Sequence, residues 1–245
     1  MLSFITYLSL VCFVAGFSPH IHHHFRLNDQ KNRFSTHVFL SSPSQTLYVP
    51  TEVELCDKLE NGCVLVSQPD EYGHFLVKSV LLLFDYGGND KPSLGVILER
   101  PTAFLLGETA PGMTTFEANT LFMGGENGND TAMLFHKYNL GGNSKYIGNG
   151  IYSGGLKEAK ELVISRQAHP KDFKFIFNYN TWPKGLLDNE VSTGRWDVLR
   201  CPPDMIIRED DSHSLWTRCR RALRGLGKVK SNSSSSSDDD EDDDE

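Results

Sequence analysis

The sequence FKFIFNY at residues 173–179 gives the clearest strand signal in the chain, because aromatic and polar residues alternate along it. Alternation with a period of two places successive side chains on opposite faces of a strand. Other apolar runs rich in Val and Leu predict further strands at residues 63–67, 78–84, 93–98, 121–123, 131–136 and 148–152. The links between these runs are short, which favours antiparallel pairing.

Helices are predicted at four places between and after these strands. Thr51 and Glu54 form a capping box in front of Leu55 and Leu59, which predicts a helix that Gly62 ends. Apolar residues recur at helical spacing over 156–167, over 184–191 and over 215–226. Since helices and strands are mixed without a regular alternation, the predicted fold class is α+β in a single domain.

The two ends of the chain differ in composition from its centre. Residues 1–16 read as a signal peptide, since a short apolar run ends in small residues. Residues 17–48 are basic, rich in hydroxyl groups and poor in acids, which is typical of a transit peptide or linker. The domain is predicted at 49–210, a basic amphipathic helix at 211–230 and a disordered serine-rich and acidic tail at 231–245.

A signal peptide followed by a transit peptide that begins with an aromatic residue, here Phe17, resembles the bipartite plastid address of diatoms and related algae. The predicted location is therefore the plastid stroma, and the alternative is the secretory pathway. No later stretch is long and apolar enough to predict a membrane span.

The charge of the chain lies mainly in its tail. The net charge is −8, and eight of the 32 acidic residues lie at 238–245, so that 24 acids face 24 Lys and Arg in the rest. A neutral body gives no electrostatic reason for nucleic-acid binding.

The cysteines and histidines do not form a recognisable metal motif. Outside the predicted signal peptide the four cysteines are Cys56, Cys63, Cys201 and Cys219, and no two have the Cys-x-x-Cys spacing of a zinc site. The histidine cluster at 20–24 falls in a segment expected to be removed. Buried free thiols are therefore expected, since a stroma is reducing, and neither a metal nor another cofactor is predicted.

Three blocks of sequence resemble the YqgE/AlgH family. They are GCVLVSQP at 62–69 continued by LGVILERP at 94–101, LFMGG at 121–125, and FNYNTWPKGLLDNE at 177–190 followed by Trp196. Asn178 and Thr181 stand where the family usually has glycine, Glu99 where asparagine is common, and Leu186 where a polar residue is usual. The resemblance implies a strongly curved, barrel-like, mostly antiparallel mixed sheet flanked by helices. It also implies a regulatory role, since family members are often labelled transcriptional regulators.

The catalytic motifs that a sequence can reveal are absent. The chain has no Walker phosphate loop, no dinucleotide glycine fingerprint after a strand, no HExxH and no nucleophile elbow. His74, His136 and His169 have no spacing that links them to a nucleophile, so no catalytic residue is assigned.

Two loops are candidate ligand contacts. Gly124 and Gly125 permit close backbone approach, and Glu126 beside them offers a carboxylate. In the second loop, Trp182 could stack on a planar ligand while Lys184 meets its charge, or Trp182 could instead fold back onto the core.

A helical wheel places apolar residues on one side of residues 215–226 and arginines on the other. The candidate polyanion-binding residues are Arg218, Arg220, Arg221 and Arg224. The alternative is a last helix docked on the domain with a solvated basic face. The acidic tail could fold back over these arginines and compete with an anionic partner.

These observations favour a non-catalytic binding or regulatory protein of the plastid with an unidentified small-molecule or protein partner. One alternative is an enzyme with a small-molecule site near residues 124–128 and Trp182. The other is a factor that binds an anionic membrane or a nucleic acid through the arginine-rich helix.

Overall fold

The fold is built around one sheet. In the computed structural model, which describes residues 47–70, 75–209 and 212–227, this sheet has eleven strands. They are β1 (Glu54–Leu55), β2 (Val64–Ser67), β3 (Val80–Asp85), β4 (Ser93–Ile97), β5 (Pro101–Leu105), β6 (Thr120–Met123), β7 (Asn127–His136), β8 (Ser144–Gly148), β9 (Ile151–Gly154), β10 (Phe173–Trp182) and β11 (Trp196–Arg200).

The sheet is almost wholly antiparallel and open. Its order is β1-β11-β2-β3-β4-β10-β7-β9-β8, with β6 paired to β10 and β5 paired to β6. The β6–β10 pair is the one parallel contact among these described strands. The α+β class and the mostly antiparallel sheet are confirmed, but the sheet does not close into a barrel, because β1 and β8 at its two ends do not pair.

Strand β10 joins the two halves of the sheet. Its first half pairs with β6 and β7, and its last residues pair with β4. The register shifts between Phe177 and Tyr179, and Asn178 at this point has a φ of 62°. Asparagine adopts this left-handed conformation more readily than most residues, so it can serve where the related family usually has glycine.

Five α-helices in the described part of the chain cover the two faces of the sheet. They are α1 (Leu106–Thr109), α2 (Leu156–Ile164), α3 (Leu186–Ser192), α4 (Pro203–Ile207) and α5 (Leu215–Gly225). Helices α4 and α5 pack on one face, in a cluster with Val64, Leu82 and Ile176. On the other face, α1 and α2 cover the aromatic residues of β10, and α3 covers the half that contains β2 and β3. None of the helices in the described part of the chain is long and apolar enough to cross a bilayer.

The predicted helix from Thr51 to Gly62 is wrong. Glu54 and Leu55 form strand β1 instead, paired with Arg200 and Leu199 of β11. Leu55 is 36% exposed, whereas Leu59 packs against the core, so the two positions do not share a buried helix face. Pairing to a neighbouring strand therefore outweighs the local capping pattern.

The other predicted elements are confirmed with shifted ends. The strand predicted at 148–152 is Ile151–Gly154, and β10 continues past 179 to Trp182. The helices predicted at 156–167, 184–191 and 215–226 are α2, α3 and α5. The strands β5, β8 and β11 and the short helices α1 and α4 were not predicted.

Candidate functional site

Gly124 and Gly125 are required by the packing of the sheet. The Gly124 N–H donates to the carbonyl of Phe177, and its own carbonyl accepts from the Ile97 N–H at 2.8 Å. A Cβ on Gly124 would lie 2.4 Å from the Asn178 carbonyl oxygen, and one on Gly125 would lie 2.2 Å from the Tyr179 carbonyl carbon. The close approach predicted at this glycine pair is therefore made by strand β10.

Trp182 is folded into the core, as in the alternative raised for it above. The residue is 6% exposed, and its ring packs edge-on against Trp196 with centroids 6.3 Å apart. Both indole N–H groups donate to the same oxygen of Glu190, at 3.0 and 2.8 Å. A ring held in this way has no free face for a planar ligand.

The remaining residues of the predicted ligand site are exposed. Glu126 and Lys184 lie at the surface. Neither lines either of the two cavities described below. The two predicted loops contact each other where each begins, because the Asn180 side chain donates to the Gly124 carbonyl at 2.8 Å.

Helix α5 docks on the domain through its apolar face. Leu215, Cys219 and Leu223 are buried, and the Trp216 indole N–H donates to the Ser67 carbonyl at 3.0 Å. Ser214 caps the helix by accepting from the Thr217 N–H. The docked-helix alternative therefore describes the position of α5.

The four arginines of α5 have different surroundings. Arg220 is 7% exposed and forms an ion pair with Asp197 at 2.6 Å, so it does not lie on a solvated face as predicted. Arg221 and Arg224 are exposed, and Arg218 is partly buried. The wheel assigned Arg220 to the wrong face because it could not show that a buried carboxylate lies opposite it.

A second predicted polar position is also buried. Lys174 lies on the face of β10 opposite to Phe173 and Phe175, and it is only 4% exposed. Its Nζ donates to the carbonyl of Ile206 in α4 at 3.5 Å and lies 4.5 Å from the centre of the Phe122 ring. The alternation over residues 173–179 marks Lys174 as a polar position, and α4 covers this face of the strand.

Lys174 lines a cavity of about 510 Å³. The walls come from β6, β10, the end of α4 and the turns beside them. The lining residues are Ala118, Asn119, Thr120, Phe122, His169, Lys171, Asp172, Phe173, Lys174, Ile207, Arg208 and Glu209. The cavity thus combines three cationic side chains with aromatic and aliphatic surface.

The ammonium of Lys174 has no close counter-ion. Within the described ranges, no ion pair at 4.0 Å or less is formed by Lys174. Burial lowers the pKa of Lys174 to about 8, although the more distant carboxylates of Glu209 and Glu99 act in the opposite direction. At neutral pH the cavity wall therefore carries a mostly protonated cation that is held away from water.

The one buried carboxylate of the cavity is fully engaged. Asp172 accepts from Arg208 at 2.8 and 2.5 Å, from the Tyr138 hydroxyl at 2.7 Å and from the His169 N–H at 3.0 Å. Burial raises the pKa of Asp172, but these hydrogen bonds outweigh it and hold the pKa below its usual value. Asp172 therefore neutralises Arg208 and leaves Lys174 unmatched.

A second cavity, of about 600 Å³, lies beside β8 and β11. It is lined by Tyr48, Glu60, Asn61, Tyr146, Ile147, Gly148, Asn149 and Arg200. Its one cation, Arg200, donates twice to Glu60, at 3.0 and 2.7 Å, so its charge is already matched. The unmatched charge distinguishes the Lys174 cavity as the better candidate.

The described residues include one group of side chains able to hold a metal ion. Its members are Cys56, Glu60 and Cys63, whose ligand atoms lie within 4.8 Å of one another. The two sulfurs are 2.7 Å apart, whereas two thiolates on a tetrahedral zinc stand about 3.8 Å apart. This spacing is too short for two zinc ligands and is nearer to the length of a disulfide bond, about 2.05 Å.

Two of the described histidines, His136 and His169, have different settings. His136 is fully buried, with Nε2 3.0 Å from the Gly154 carbonyl and Nδ1 3.2 Å from the Tyr138 nitrogen. These partners fix the neutral tautomer that carries its proton on Nε2. His169 is exposed and caps the turn Pro170–Asp172. His74 lies outside the described residues.

An open, mostly antiparallel sheet with helices on both faces defines a single α+β domain. The chain belongs to the AlgH-like family, whose model matches residues 64–227. The UPF0301 protein of Chlorobium chlorochromatii is 31% identical over 179 residues, which cover 72% of this chain and 93% of the relative. The UPF0301 protein of Bacteroides fragilis is 25% identical over 167 residues, covering 68% of this chain and 82% of the relative.

Two solved structures share the fold. A crystal structure of a protein from Corynebacterium diphtheriae has a TM-score of 0.57 and 18% identity, covering 68% of this chain and 88% of that one. The solution structure of the AlgH protein from Pseudomonas aeruginosa has a TM-score of 0.51 and 18% identity, covering 69% and 89%. The family resemblance inferred from the sequence is confirmed, and the matched range includes helix α5.

Proposed function

We propose that this protein binds a small organic anion, a carboxylate or a phosphate ester, in the Lys174 cavity. The observation that carries the proposal is the buried ammonium of Lys174, which lines the cavity and forms no ion pair within 4.0 Å with either described carboxylate of its wall, Asp172 or Glu209. A buried charge is costly unless it is paired. An anionic ligand would supply the missing partner.

The other walls define the rest of the ligand. A volume of about 510 Å³ suits a compound of small-metabolite size. Phe122, Phe173 and Ile207 offer apolar contact, while Lys171 stands as a second cation at the rim. The ligand is therefore an anion with an apolar portion, recognised by charge at one end and by packing at the other.

The role that follows is binding or regulation without turnover. Asp172, the buried carboxylate of the cavity, is committed to Arg208 and Tyr138, so it is not free to act as a base. A domain that holds a metabolite with α4 against the sheet can report its presence to a partner.

The test is direct binding to a panel of carboxylates and phosphate esters, measured by titration calorimetry at pH 7 on the purified protein. Lys174→Met should weaken binding of a hit by about tenfold to a hundredfold, the usual worth of a hydrogen bond to a charged group. Lys157→Met, at an exposed lysine outside the cavity, is the matched control and should keep the affinity. Equal affinity in Lys174→Met and the wild type would refute the site.

A second function is favoured by one property of the same residue. An amine whose pKa is about 8 is unprotonated often enough near neutral pH to add to a carbonyl group. Incubation with pyruvate or an aldehyde and then borohydride would leave a covalent mass on Lys174 if the protein uses this chemistry. No added mass on the peptide that carries Lys174 would leave anion binding as the function.

The proposal also includes a location in the plastid stroma. One support is the acid-poor segment after the predicted signal peptide. The other is the match to the Chlorobium chlorochromatii relative, which covers 93% of that protein and 72% of this chain. Residues 1–46 lie outside the described part of the chain. A fluorescent protein fused after residue 48 should enter plastids, and replacing Phe17 by Ala should divert it; secretion of the intact fusion would refute this location.

A further inference from the structure

Cys56 and Cys63 place two thiols in direct contact at the edge of the sheet. Their sulfurs are 2.7 Å apart, and the Cys56 Sγ also lies 2.8 Å from the carbonyl oxygen of Lys58. Cys56 is half-buried and Cys63 is buried, so an oxidant can approach the pair from the side of Cys56. The other two cysteines of the domain, Cys201 and Cys219, are both fully buried.

The backbone holds this contact in place. Cys56 follows β1, and its N–H donates to the Val198 carbonyl of β11 at 3.0 Å. Cys63 precedes β2, and its carbonyl accepts from the Leu83 N–H at 2.9 Å. Because β1 and β2 both pair with β11, the two cysteines remain neighbours while residues 57–62 form the loop between them.

We propose that Cys56 and Cys63 are a redox modification site that closes reversibly to a disulfide. Hydroperoxides are the oxidant class. The Cys56 thiolate attacks one peroxide oxygen and the O–O bond breaks, which leaves a sulfenic acid on Cys56 and releases water after proton uptake. The Cys63 sulfur then attacks the Cys56 sulfur, the S–O bond breaks and a second water leaves. Two thiols and one hydrogen peroxide give one disulfide and two waters, and a dithiol reverses the change by exchange.

The surroundings suit Cys56 to the first step. The hydrogen bond from Cys63 lowers the pKa of the Cys56 thiol by more than burial raises it, and the positive charge of Arg200 lowers it further. The same contact and burial raise the pKa of Cys63. Cys56 is therefore the attacking thiol and Cys63 the resolving one.

The bond would act on the cavity beside β8. Glu60 and Asn61 lie in the loop that the disulfide would close, and both line the cavity of about 600 Å³ together with Arg200. Closing the ring restrains this loop, so oxidation fixes the position of the Glu60 carboxylate relative to Arg200. The modification thereby couples the redox state to the shape of this second cavity.

The test treats the reduced, desalted protein with hydrogen peroxide. The reaction is quenched with acid and the remaining thiols are alkylated, and the protein is then digested with trypsin. Trypsin cleaves after Lys58, inside the loop, so the disulfide joins the peptide ending at Lys58 to peptide 59–78. The expected result is this cross-linked pair, two hydrogens lighter than the sum of its parts and absent after dithiothreitol. Amide exchange over residues 57–62 should be slower in the oxidised protein.

Controls separate this site from general oxidation. Cys63→Ser should leave Cys56 as a sulfenic acid that dimedone traps, whereas Cys219→Ala should not change the formation of the cross-link. The proposal is overturned if Cys201 and Cys219 link first, if peroxide leaves the 56–63 pair reduced while other thiols react, or if the native protein carries zinc that protects both thiols.

Discussion

Replacing Lys174 by methionine should stabilise the protein, even though it removes a side chain from the centre of the fold. Methionine fills nearly the same space as the lysine stem and has no charge to bury. The wild-type ammonium is 4% exposed, with one long hydrogen bond to Ile206 and the face of Phe122 as compensation. The substitution removes the burial cost together with these two weak contacts.

The magnitude follows from the pKa of Lys174. A fall from the ordinary value of 10.5 to about 8 corresponds to about 3 kcal/mol of unfavourable free energy for the charged form in the folded state. Losing the hydrogen bond and the ring contact costs about 1 to 2 kcal/mol. Lys174→Met should therefore raise the free energy of unfolding by about 1 to 2 kcal/mol at pH 7.

The pH dependence has a fixed sign. Between pH 8 and 10.5 the unfolded lysine still holds its proton while the folded one has lost it, so the stability of the wild type rises with pH in this window. Below pH 8 the cost of the buried charge is fully present. The advantage of Lys174→Met should accordingly be largest at pH 7 and disappear, or reverse, by about pH 10.5.

The assay is urea denaturation of the wild type and Lys174→Met at pH 7, 8.5 and 10, followed by tryptophan fluorescence. Lys171→Met, an exposed lysine of the same cavity, serves as control and should change stability by less than about 0.5 kcal/mol. A Lys174→Met protein that is less stable at pH 7, or a difference that does not vary with pH, would refute the assignment of Lys174 as a costly buried cation.

Three further outcomes are expected from other parts of the fold. Arg220→Met should cost about 3 to 5 kcal/mol because it leaves Asp197 without its buried cation, whereas exposed Arg221→Met should cost less than about 0.5 kcal/mol; equal urea midpoints would contradict this difference. Asn178→Val should cost about 1 to 2 kcal/mol at a φ of 62°, while Asn178→Gly should be nearly neutral in the same assay. Burial lowers the pKa of His136 below 6.5, so the stability contributed by its neutral ring is lost as the pH falls below 6.5. Nitrogen NMR should show a proton on Nε2 alone at pH 6.5, and a doubly protonated ring would contradict the assigned tautomer.

Local patterns in the sequence were sufficient for most strands and for the longer helices. The alternation in residues 173–179 identified β10, and helical spacing identified α2 and α5, because both signals depend only on nearby residues. The capping box at Thr51 failed for the same reason. It describes a local preference, and the pairing of Glu54 and Leu55 with β11 is a contact across more than a hundred residues.

The candidate site was harder to predict because burial decides it. Lys174 and Arg220 occupy positions that a periodic pattern assigns to solvent, and only the packing of α4 and the position of Asp197 show that both are buried. For Trp182 the sequence left two alternatives, since an aromatic ring beside a loop can stack on a ligand or pack onto the core, and the structure shows it packed against Trp196. One signal was available in the sequence. Lys174 and Ile176 are two residues apart and therefore lie on the same face of β10, and a buried Ile on that face indicates that the face is covered.

The cysteines show a similar limit. Four cysteines without zinc spacing predict free thiols, and all four are free in the structure. The contact between Cys56 and Cys63 could not be predicted, because it depends on β1 and β2 both pairing with β11.

The most direct test of the central claim is native mass spectrometry of the protein captured gently from its own cells, beside Lys174→Met captured in the same way. The account predicts a small adduct on the wild type that carries a carboxylate or phosphate, disappears on denaturation and is absent from Lys174→Met. The same adduct on both proteins, or an adduct on neither, would contradict the assignment of the Lys174 cavity as an anion site.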